Sequence, residues 1–340
     1  MAVITIVGAG MMGSAMSCPA RDNQHEVRLV GTPLDHEIID CAAKDGFHIT
    51  MNRQLPAGIQ YYQVKDLEQA LAGADLVING VSSFGVEWFA ETVLPVLPPV
   101  PVLAVTKGLI NNPDGSLLTY PHYFKARRPD RSFNAIGGPC TSYELADRHQ
   151  TMVYFCGEDI SELQWIKSLL ATAYYHITPS TDVLGVEGCV AMKNAFAVAV
   201  SIAIGLAEKL EGENAYMYNP QAALFGQSLR EMARVVRLLG GNADLAAGIP
   251  GAGDLFVTIF GGRTRKLGYL LGKGYRYSEA REELKGITLE SVVIITRVAN
   301  ALRILARAEK VDLRDFALLL HLDDIINNNA PAAIPWEELQ

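Results

Sequence analysis

The first fifteen residues restrict the possible folds more than any other part of the chain. Residues 2–7 form an apolar, β-branched stretch typical of a buried strand, and a glycine-rich segment follows directly. Gly8, Gly10 and Gly13 make the pattern GxGxxG. In this pattern the first glycine permits a tight turn, the second lets the backbone approach a pyrophosphate, and the third lets a helix pack closely on the strand. The segment therefore predicts a Rossmann-type parallel sheet that binds a dinucleotide at a helix N-terminus.

Length and periodicity predict two domains. A chain of 340 residues exceeds the size at which one hydrophobic core usually stops growing. Strands predicted at 26–30, 74–81, 102–106, 133–137, 151–156 and 174–178 place an α/β, dinucleotide-binding domain at residues 1–180. Residues 181–330 have helical periodicity almost throughout, so we expect an all-α substrate and dimerisation domain at residues 181–340.

Composition excludes several classes of partner. The formal net charge of −8 argues against a surface for nucleic acid or anionic membranes, because both need basic patches. The five scattered cysteines, and a predicted strand that leaves no room for a signal peptide, favour a cytoplasmic protein with reduced thiols. The histidines and cysteines lack metal-ligand spacing, so we expect no metal site. The apolar run that starts at Ala195 falls short of a membrane span.

The end of the second strand leaves the choice of dinucleotide open. A site selective for NAD usually has an acidic residue there, which binds the ribose 2′-hydroxyl. This chain has Gly31 and Thr32 instead, so both NAD and NADP remain candidates. Thr32 and Arg28 are the residues that we expect to influence this choice, and Ser82 follows the next long strand at the predicted cofactor edge.

A lysine in an apolar helix is the first catalytic candidate. Residues 181–207 predict one long buried helix that contains the adjacent pair Lys193 and Asn194. Burying a lysine is costly unless it is paired or used, so such a residue indicates a functional site. Lys193 would then exchange a proton with a substrate oxygen while hydride moves to or from a nicotinamide.

Three further charged residues fit this reaction. Lys107 follows a central strand, at the edge where open α/β sheets bind ligands, and we expect it to take part in catalysis as a second cation. Asp254 is predicted to cap a helix and to orient Lys193. Arg263 lies in the basic segment 261–266 at a predicted helix start, a combination that favours phosphate binding.

Six segments, in chain order, resemble the glycerol-3-phosphate dehydrogenases, which interconvert sn-glycerol 3-phosphate and dihydroxyacetone phosphate. They are GAGMMG at 8–13, TKGL at 106–109, GGPC at 137–140, GVEGCVAMKN at 185–194, GAGDLFVT at 251–258 and GGRTRK at 261–266. The resemblance implies a homodimer with a helical C-terminal domain. It also implies roles in carbohydrate and glycerophospholipid metabolism.

The resemblance assigns a role to each matching residue. Lys193 corresponds to the catalytic lysine, Lys107 to a lysine that contacts substrate, Asp254 and Thr258 to the active-site aspartate and threonine, and Arg263 to the arginine near phosphate and cofactor. Further substrate contacts are expected at Gly138, Asn194 and Thr264. Cofactor contacts are expected at Gly8, Gly10, Met11, Met12, Gly13, Thr32, Ser82, Lys107, Cys140, Ser142 and Arg263.

The departures from the family pattern keep other substrates open. Thr264 stands where the family usually has asparagine, and Cys140 where it usually has serine or threonine. The segment 214–221 also looks longer and more aromatic than usual. A four-carbon polyol phosphate is therefore an alternative substrate. A ketopantoate-reductase or β-hydroxyacid-dehydrogenase type of enzyme is a second alternative, and a non-catalytic dinucleotide sensor is a third.

Overall fold

A computed structural model describes residues 1–339, which form two compact units. The first unit contains Met1–Lys107 and Tyr120–Val183, and the second contains Gly108–Thr119 and the chain from Leu184 onward. In chain order the strands are β1 Val3–Val7, β2 Glu26–Val30, β3 Phe47–His48, β4 Arg53–Gln54, β5 Ile59–Tyr62, β6 Leu76–Asn79, β7 Val102–Ala104, β8 Leu109–Asn111, β9 Leu117–Thr119, β10 Phe133–Gly137, β11 Thr151–Cys156 and β12 Tyr175–Ser180.

The first unit is built on an eight-stranded sheet in the order β12-β11-β10-β7-β6-β1-β2-β5. From β5 to β10 the strands are parallel, and their sequence order is that of a Rossmann fold. Only the junction of β10 with β11 is antiparallel within this sheet. Its helices are α1 Met11–Ala15, α2 Ser17–Asp22, α3 His36–Asp45, α4 Leu67–Leu71, α5 Val86–Trp88, α6 Tyr120–Arg127, α7 Ser142–Ala146 and α8 Ile160–Leu170. The predicted α/β class is confirmed.

The hairpin of β8 and β9 belongs to the second unit, although it interrupts the first unit in sequence. It packs against the helix at 290–307, and the Arg297 guanidinium donates a hydrogen bond to the carbonyl of Leu109 at 2.9 Å. A single boundary at residue 180 was predicted, so the assignment of residues 108–119 to the second unit was not expected.

The second unit is helical apart from this hairpin. Its helices are α9 Val183–Glu211, α10 Tyr218–Leu239, α11 Asp254–Phe260, α12 Gly262–Lys273, α13 Tyr277–Glu283, α14 Glu290–Arg307 and α15 Ala317–Asn327. Near the C-terminus, Ala332, Ile334 and Leu339 pack against the core of this unit.

Helix α9 forms the centre of the second unit. It runs for 29 residues, Val183–Glu211, and so extends well beyond the apolar run that starts at Ala195. By length and composition it could cross a bilayer. However, 78% of its most apolar 18-residue window is buried inside the protein, as in the core helix of a globular domain.

Glycines allow α12 to approach α9 closely. A Cβ atom built on Gly268 would lie 2.5 Å from the backbone oxygen of Val198. One on Gly272 would lie 2.1 Å from that of Ile202. Because no side chain fits between the two backbones, the glycines fix the position of α12 relative to the helix that carries Lys193.

We therefore expect Gly272→Ala to lower the free energy of unfolding by about 1–3 kcal/mol, the usual cost of overpacking. Gly226→Ala is a matched control, because Gly226 is exposed within α10 and a Cβ there would meet nothing within 4 Å. That substitution should instead stabilise by up to about 1 kcal/mol through helix propensity. Urea unfolding followed by circular dichroism measures both changes. Equal effects would show that the close approach of α9 and α12 imposes no constraint.

Candidate active site

The glycine turn after β1 has the geometry of a pyrophosphate cradle. Gly8 has φ of 111°, and a Cβ there would lie 2.8 Å from the carbonyl carbon of Gly80. A Cβ on Gly13 would lie 2.2 Å from the oxygen of Gly8. A Cβ on Gly10, in contrast, would meet nothing within 4 Å. The outer two glycines therefore permit close backbone packing, while Gly10 faces open space at the start of α1, where a dinucleotide would lie.

A cavity of about 330 Å³ adjoins this turn in the first unit. Its wall combines backbone from the ends of β1, β2 and β6 with the apolar side chains of Leu34, Phe84 and Trp88, which could cover a flat ring. The lining residues are Gly8, Gly10, Thr32, Pro33, Leu34, Asp35, Gly80, Val81, Ser82, Phe84, Gly85 and Trp88. Four of the predicted cofactor residues, Gly8, Gly10, Thr32 and Ser82, thus share one cavity.

Asp35 supplies a carboxylate on this wall, four residues later than the usual position. Its Oδ2 accepts hydrogen bonds from the N–H and the hydroxyl of Thr32, at 2.9 and 2.8 Å, and from the N–H of Ala9 at 3.1 Å. Asp35 bonds to the glycine turn across 26 residues of sequence, so no local sequence pattern indicates this contact.

Arg28, which was considered for the choice of dinucleotide, does not line the cavity. Its guanidinium donates to Glu26 at 2.9 Å and to the carbonyls of Ala70 and Ala72 at 3.1 and 2.6 Å. Residues 26 and 28 share one face of β2, since side chains alternate along a strand. The arginine is therefore engaged along the strand and at the end of α4.

Other predicted cofactor residues lie outside this cavity. Met11 and Met12 are half-buried in α1, and the Tyr143 hydroxyl donates to the Met11 sulfur at 3.4 Å. Cys140 packs against the core of the first unit, and Ser142 is buried at the start of α7. Gly13 lies on the packed side of the turn, against the backbone oxygen of Gly8.

Lys107 connects two strand ends at the carboxyl edge of the sheet. Its Nζ donates to the carbonyl of Gly138 at 3.0 Å, so it bridges the segments that follow the neighbouring strands β7 and β10. The hydroxyl of Thr106 donates to the carbonyl of Val81 at 2.7 Å and joins the end of β7 to that of β6. The predicted substrate residues Lys107 and Gly138 are thus brought together.

The second unit contains a buried ion pair. The Nζ of Lys193 lies 2.5 Å from Oδ1 of Asp254, and the two side chains are 13% and 1% exposed. A charge pair removed from water gains little net stability over apolar packing, so it is better explained by function. The hydroxyl of Thr258 donates to the backbone oxygen of Asp254 at 2.6 Å, and Asn194 is half-buried beside the lysine.

The prediction that Asp254 caps a helix is wrong. The residue is the first of α11, and a π-helical turn at Ile249–Gly253 leads directly into it. Gly253 occupies the cap position with helical dihedral angles. The carboxylate accepts a hydrogen bond from Lys193, consistent with the predicted orienting contact.

Arg263 lies at the start of α12, as the basic segment predicted. Its side chain is 49% exposed, donates to the hydroxyl of Thr288 and lies 4.0 Å from Glu290. Thr264 is buried, and Lys266 is exposed on the same helix. No local sequence pattern indicates a role for Thr288 or Glu290, because they come 25 or more residues later. Within residues 1–339, no three His, Cys, Asp or Glu side chains form a group able to hold a metal ion.

Two family models match the chain, and together they span most of it. Residues 3–162 match the NAD-dependent glycerol-3-phosphate dehydrogenase N-terminus. Residues 182–335 match the NAD-dependent glycerol-3-phosphate dehydrogenase C-terminus. The match to the second model begins next to the start of α9.

Individual relatives of the chain are also named as glycerol-3-phosphate dehydrogenases. An NADP(+)-dependent glycerol-3-phosphate dehydrogenase of Archaeoglobus fulgidus is 35% identical over 83% of this chain and 84% of its own length. A glycerol-3-phosphate dehydrogenase [NAD(P)+] of Bacillus pumilus is 33% identical over 85% and 81%. The crystal structure of the Coxiella burnetii glycerol-3-phosphate dehydrogenase has the same fold, with a TM-score of 0.82 at 24% identity over 100% of this chain and 98% of that chain. The chain therefore belongs to the NAD(P)-dependent glycerol-3-phosphate dehydrogenase family.

Proposed function

We propose that this protein is an oxidoreductase that transfers hydride between NAD(P)(H) and a small phosphorylated polyol or ketone, namely sn-glycerol 3-phosphate and dihydroxyacetone phosphate. The observation that carries the proposal is the buried pair of Lys193 and Asp254 in a member of this family. A sensor would need the glycine turn but not a lysine held inside an apolar helix.

The first unit, as the dinucleotide-binding domain, would hold the cofactor. Gly8, Gly10 and Gly13 form a turn whose open side suits a pyrophosphate, and Thr32 and Ser82 lie on the wall of the adjoining cavity. Met11 and Met12 begin the helix whose N–H groups would face the phosphates. When bound, the nicotinamide supplies or accepts the hydride.

Lys193 would move the proton. During ketone reduction, negative charge develops on the carbonyl oxygen, and a nearby ammonium both stabilises that charge and donates the proton. In the oxidative direction the same amine would take the proton back. Asp254 holds the amine in one position at 2.5 Å and is itself buried, so it orients Lys193 without contacting solvent.

Arg263 is our candidate for binding the substrate phosphate. It lies at a helix start and half of its side chain is exposed, so an incoming anion could reach the guanidinium. We propose further substrate contacts at Lys107, Gly138, Asn194, Thr258 and Thr264, and a further cofactor contact at Arg263. Cofactor contacts at Lys107, Cys140 and Ser142 remain proposals on the same basis.

The biological setting is also proposed. The resemblance supports a homodimer, with the helical domain providing substrate binding and dimerisation, and a role in carbohydrate and glycerophospholipid metabolism. The net charge of −8 and the scattered cysteines support a cytoplasmic location without nucleic-acid or membrane partners.

A four-carbon polyol phosphate is the alternative substrate. Thr264 and Cys140 depart from the family pattern at positions that the resemblance places around the substrate, which keeps this alternative open. The ketopantoate-reductase type of enzyme is disfavoured, because both family models belong to the glycerol-3-phosphate dehydrogenases.

An absorbance assay tests the proposed reaction. Purified protein is mixed with dihydroxyacetone phosphate and either NADH or NADPH, and we expect oxidation of at least one cofactor. The same assay with four-carbon ketose phosphates is run in parallel. Turnover of those substrates alone would select the alternative. Dinucleotide binding without turnover of any substrate would contradict the enzymatic proposal.

We expect Lys193→Arg to lower kcat by about 10²–10⁴-fold, because arginine keeps the positive charge beside Asp254 but cannot give up a proton. Arginine is preferable to alanine here, since alanine would leave the buried carboxylate without its partner. Lys209→Arg is the control, because Lys209 is exposed near the end of the same helix. Wild-type turnover of the first variant would end the assignment of Lys193 as the proton donor.

Arg263→Ala should raise the KM for the phosphorylated substrate by about 10–100-fold, the loss expected for charge-assisted hydrogen bonds. Lys266→Ala removes an exposed cation from the same helix and should change this KM far less. Steady-state kinetics at constant ionic strength compares the two variants. Equal KM values for both variants would show that Arg263 contributes only general positive charge.

A further inference from the structure

The peptide groups around Ala9, inside the glycine turn, are held from both sides. The N–H of Ala9 donates to Oδ2 of Asp35 at 3.1 Å. Its carbonyl oxygen accepts hydrogen bonds from Nε2 of His48 at 2.9 Å and from the hydroxyl of Ser14 at 3.1 Å. Since a carbonyl oxygen has two lone pairs, this oxygen is fully engaged on the protein side.

His48 is fixed in one orientation and one tautomer. The side chain is fully buried, and its Nδ1 accepts a hydrogen bond from the N–H of Met51 at 3.0 Å. Nδ1 therefore lacks a proton, and the neutral ring carries its proton on Nε2, where it is donated to Ala9. The hairpin of β3 and β4 supports the ring, because His48 ends β3 and Met51 lies in the connecting turn.

Because the peptide bond is planar, the contacts of the Ala9 carbonyl also determine the direction of the Gly10 N–H. In a planar trans peptide, the carbonyl of residue 9 and the N–H of residue 10 point in opposite directions. His48 and Ser14 hold the Ala9 carbonyl inward, so the N–H of Gly10 points outward. A Cβ built on Gly10 would meet nothing within 4 Å, so the residue leaves room for a ligand to approach this peptide.

We propose that His48 is a positioning residue for dinucleotide binding, which acts by directing the Gly10 N–H at the pyrophosphate. Without His48 the peptide could rotate and present its carbonyl to the ligand, and a carbonyl oxygen would repel a phosphate. Asp35 completes the arrangement by holding the preceding peptide through the Ala9 N–H. The inference rests on the proposed function, because it assumes that the turn binds NAD(P).

Two isosteric variants separate this role from simple core packing. Asparagine at position 48 keeps an acceptor near the place of Nδ1 but does not reach Ala9. Glutamine places an amide N–H near the place of Nε2. His36→Asn is the matched control, because His36 is exposed and contacts Gln63 instead of the glycine turn.

The readout is equilibrium binding of NADH and NADPH to the full chain by fluorescence, combined with steady-state kinetics. We expect His48→Asn to weaken dinucleotide binding by about tenfold, near the usual effect of one buried hydrogen bond. The KM for the dinucleotide should rise similarly, while kcat and the KM for the phosphorylated substrate stay within about twofold. His48→Gln should restore most of the affinity, and His36→Asn should bind like the wild type.

Several results would overturn the inference. Wild-type affinity in His48→Asn would do so, and so would equal losses in the asparagine and glutamine variants, which would indicate packing alone. If His48→Asn fails to fold, Asp35→Ala tests the same arrangement from the cavity wall, through the Ala9 N–H, and should show the same rise in dinucleotide KM at constant kcat. A wild-type protein that binds neither NADH nor NADPH would instead refute the proposed function, and the inference with it.

Discussion

The ion pair between Lys193 and Asp254 is the interaction on which the organisation of the helical unit depends. A lysine in a core helix must be paired, since an isolated buried charge is prohibitively costly. Backbone features of the surrounding structure place the partner, Asp254, beside the lysine. The π-helical turn at Ile249–Gly253 presses Gly251 against Ala246, where a Cβ would lie 2.2 Å from the backbone oxygen, and delivers Asp254 at the head of α11. Helix α12, which carries Arg263, is fixed by glycines against the same α9.

The first unit must also fix the positions of polar groups, but its glycine turn contains no charged side chain. A phosphate needs outward N–H groups, so the carbonyls of the same peptides must be satisfied inside the protein. Gly8 and Gly13 bring the chain close enough to Gly80 to form the turn, and side chains from the loop after β2 and from β3 then fix its peptides. The glycines make the turn possible, whereas His48 and Asp35 select one orientation of it.

Sequence patterns predicted the elements that are defined by local chemistry. The bounds of β2, β10 and β11 agree with the predicted strands, since buried parallel strands are short apolar runs. Helix α10 ends at Gly240, which takes the left-handed conformation typical of a glycine C-cap, a signal that is local in sequence. The edge strand β5 and the β8–β9 hairpin were not predicted, because their few half-exposed residues give no clear periodicity. Likewise, the bond from His48 to Ala9 joins residues 39 apart and has no sequence signature.

The loop after β2 explains why the sequence alone could not distinguish NAD from NADP. A selective site presents either a carboxylate to the ribose 2′-hydroxyl or a cation to a 2′-phosphate. Here the nearby carboxylate, Asp35, uses one oxygen to accept three hydrogen bonds within the protein, and the described residues that line the cavity include no lysine or arginine. Arg28, the nearest cation in sequence, is held by Glu26 and by carbonyls at the end of α4. The lining of this cavity is therefore compatible with both cofactors, in agreement with relatives named as using NAD(P)+ or NADP(+).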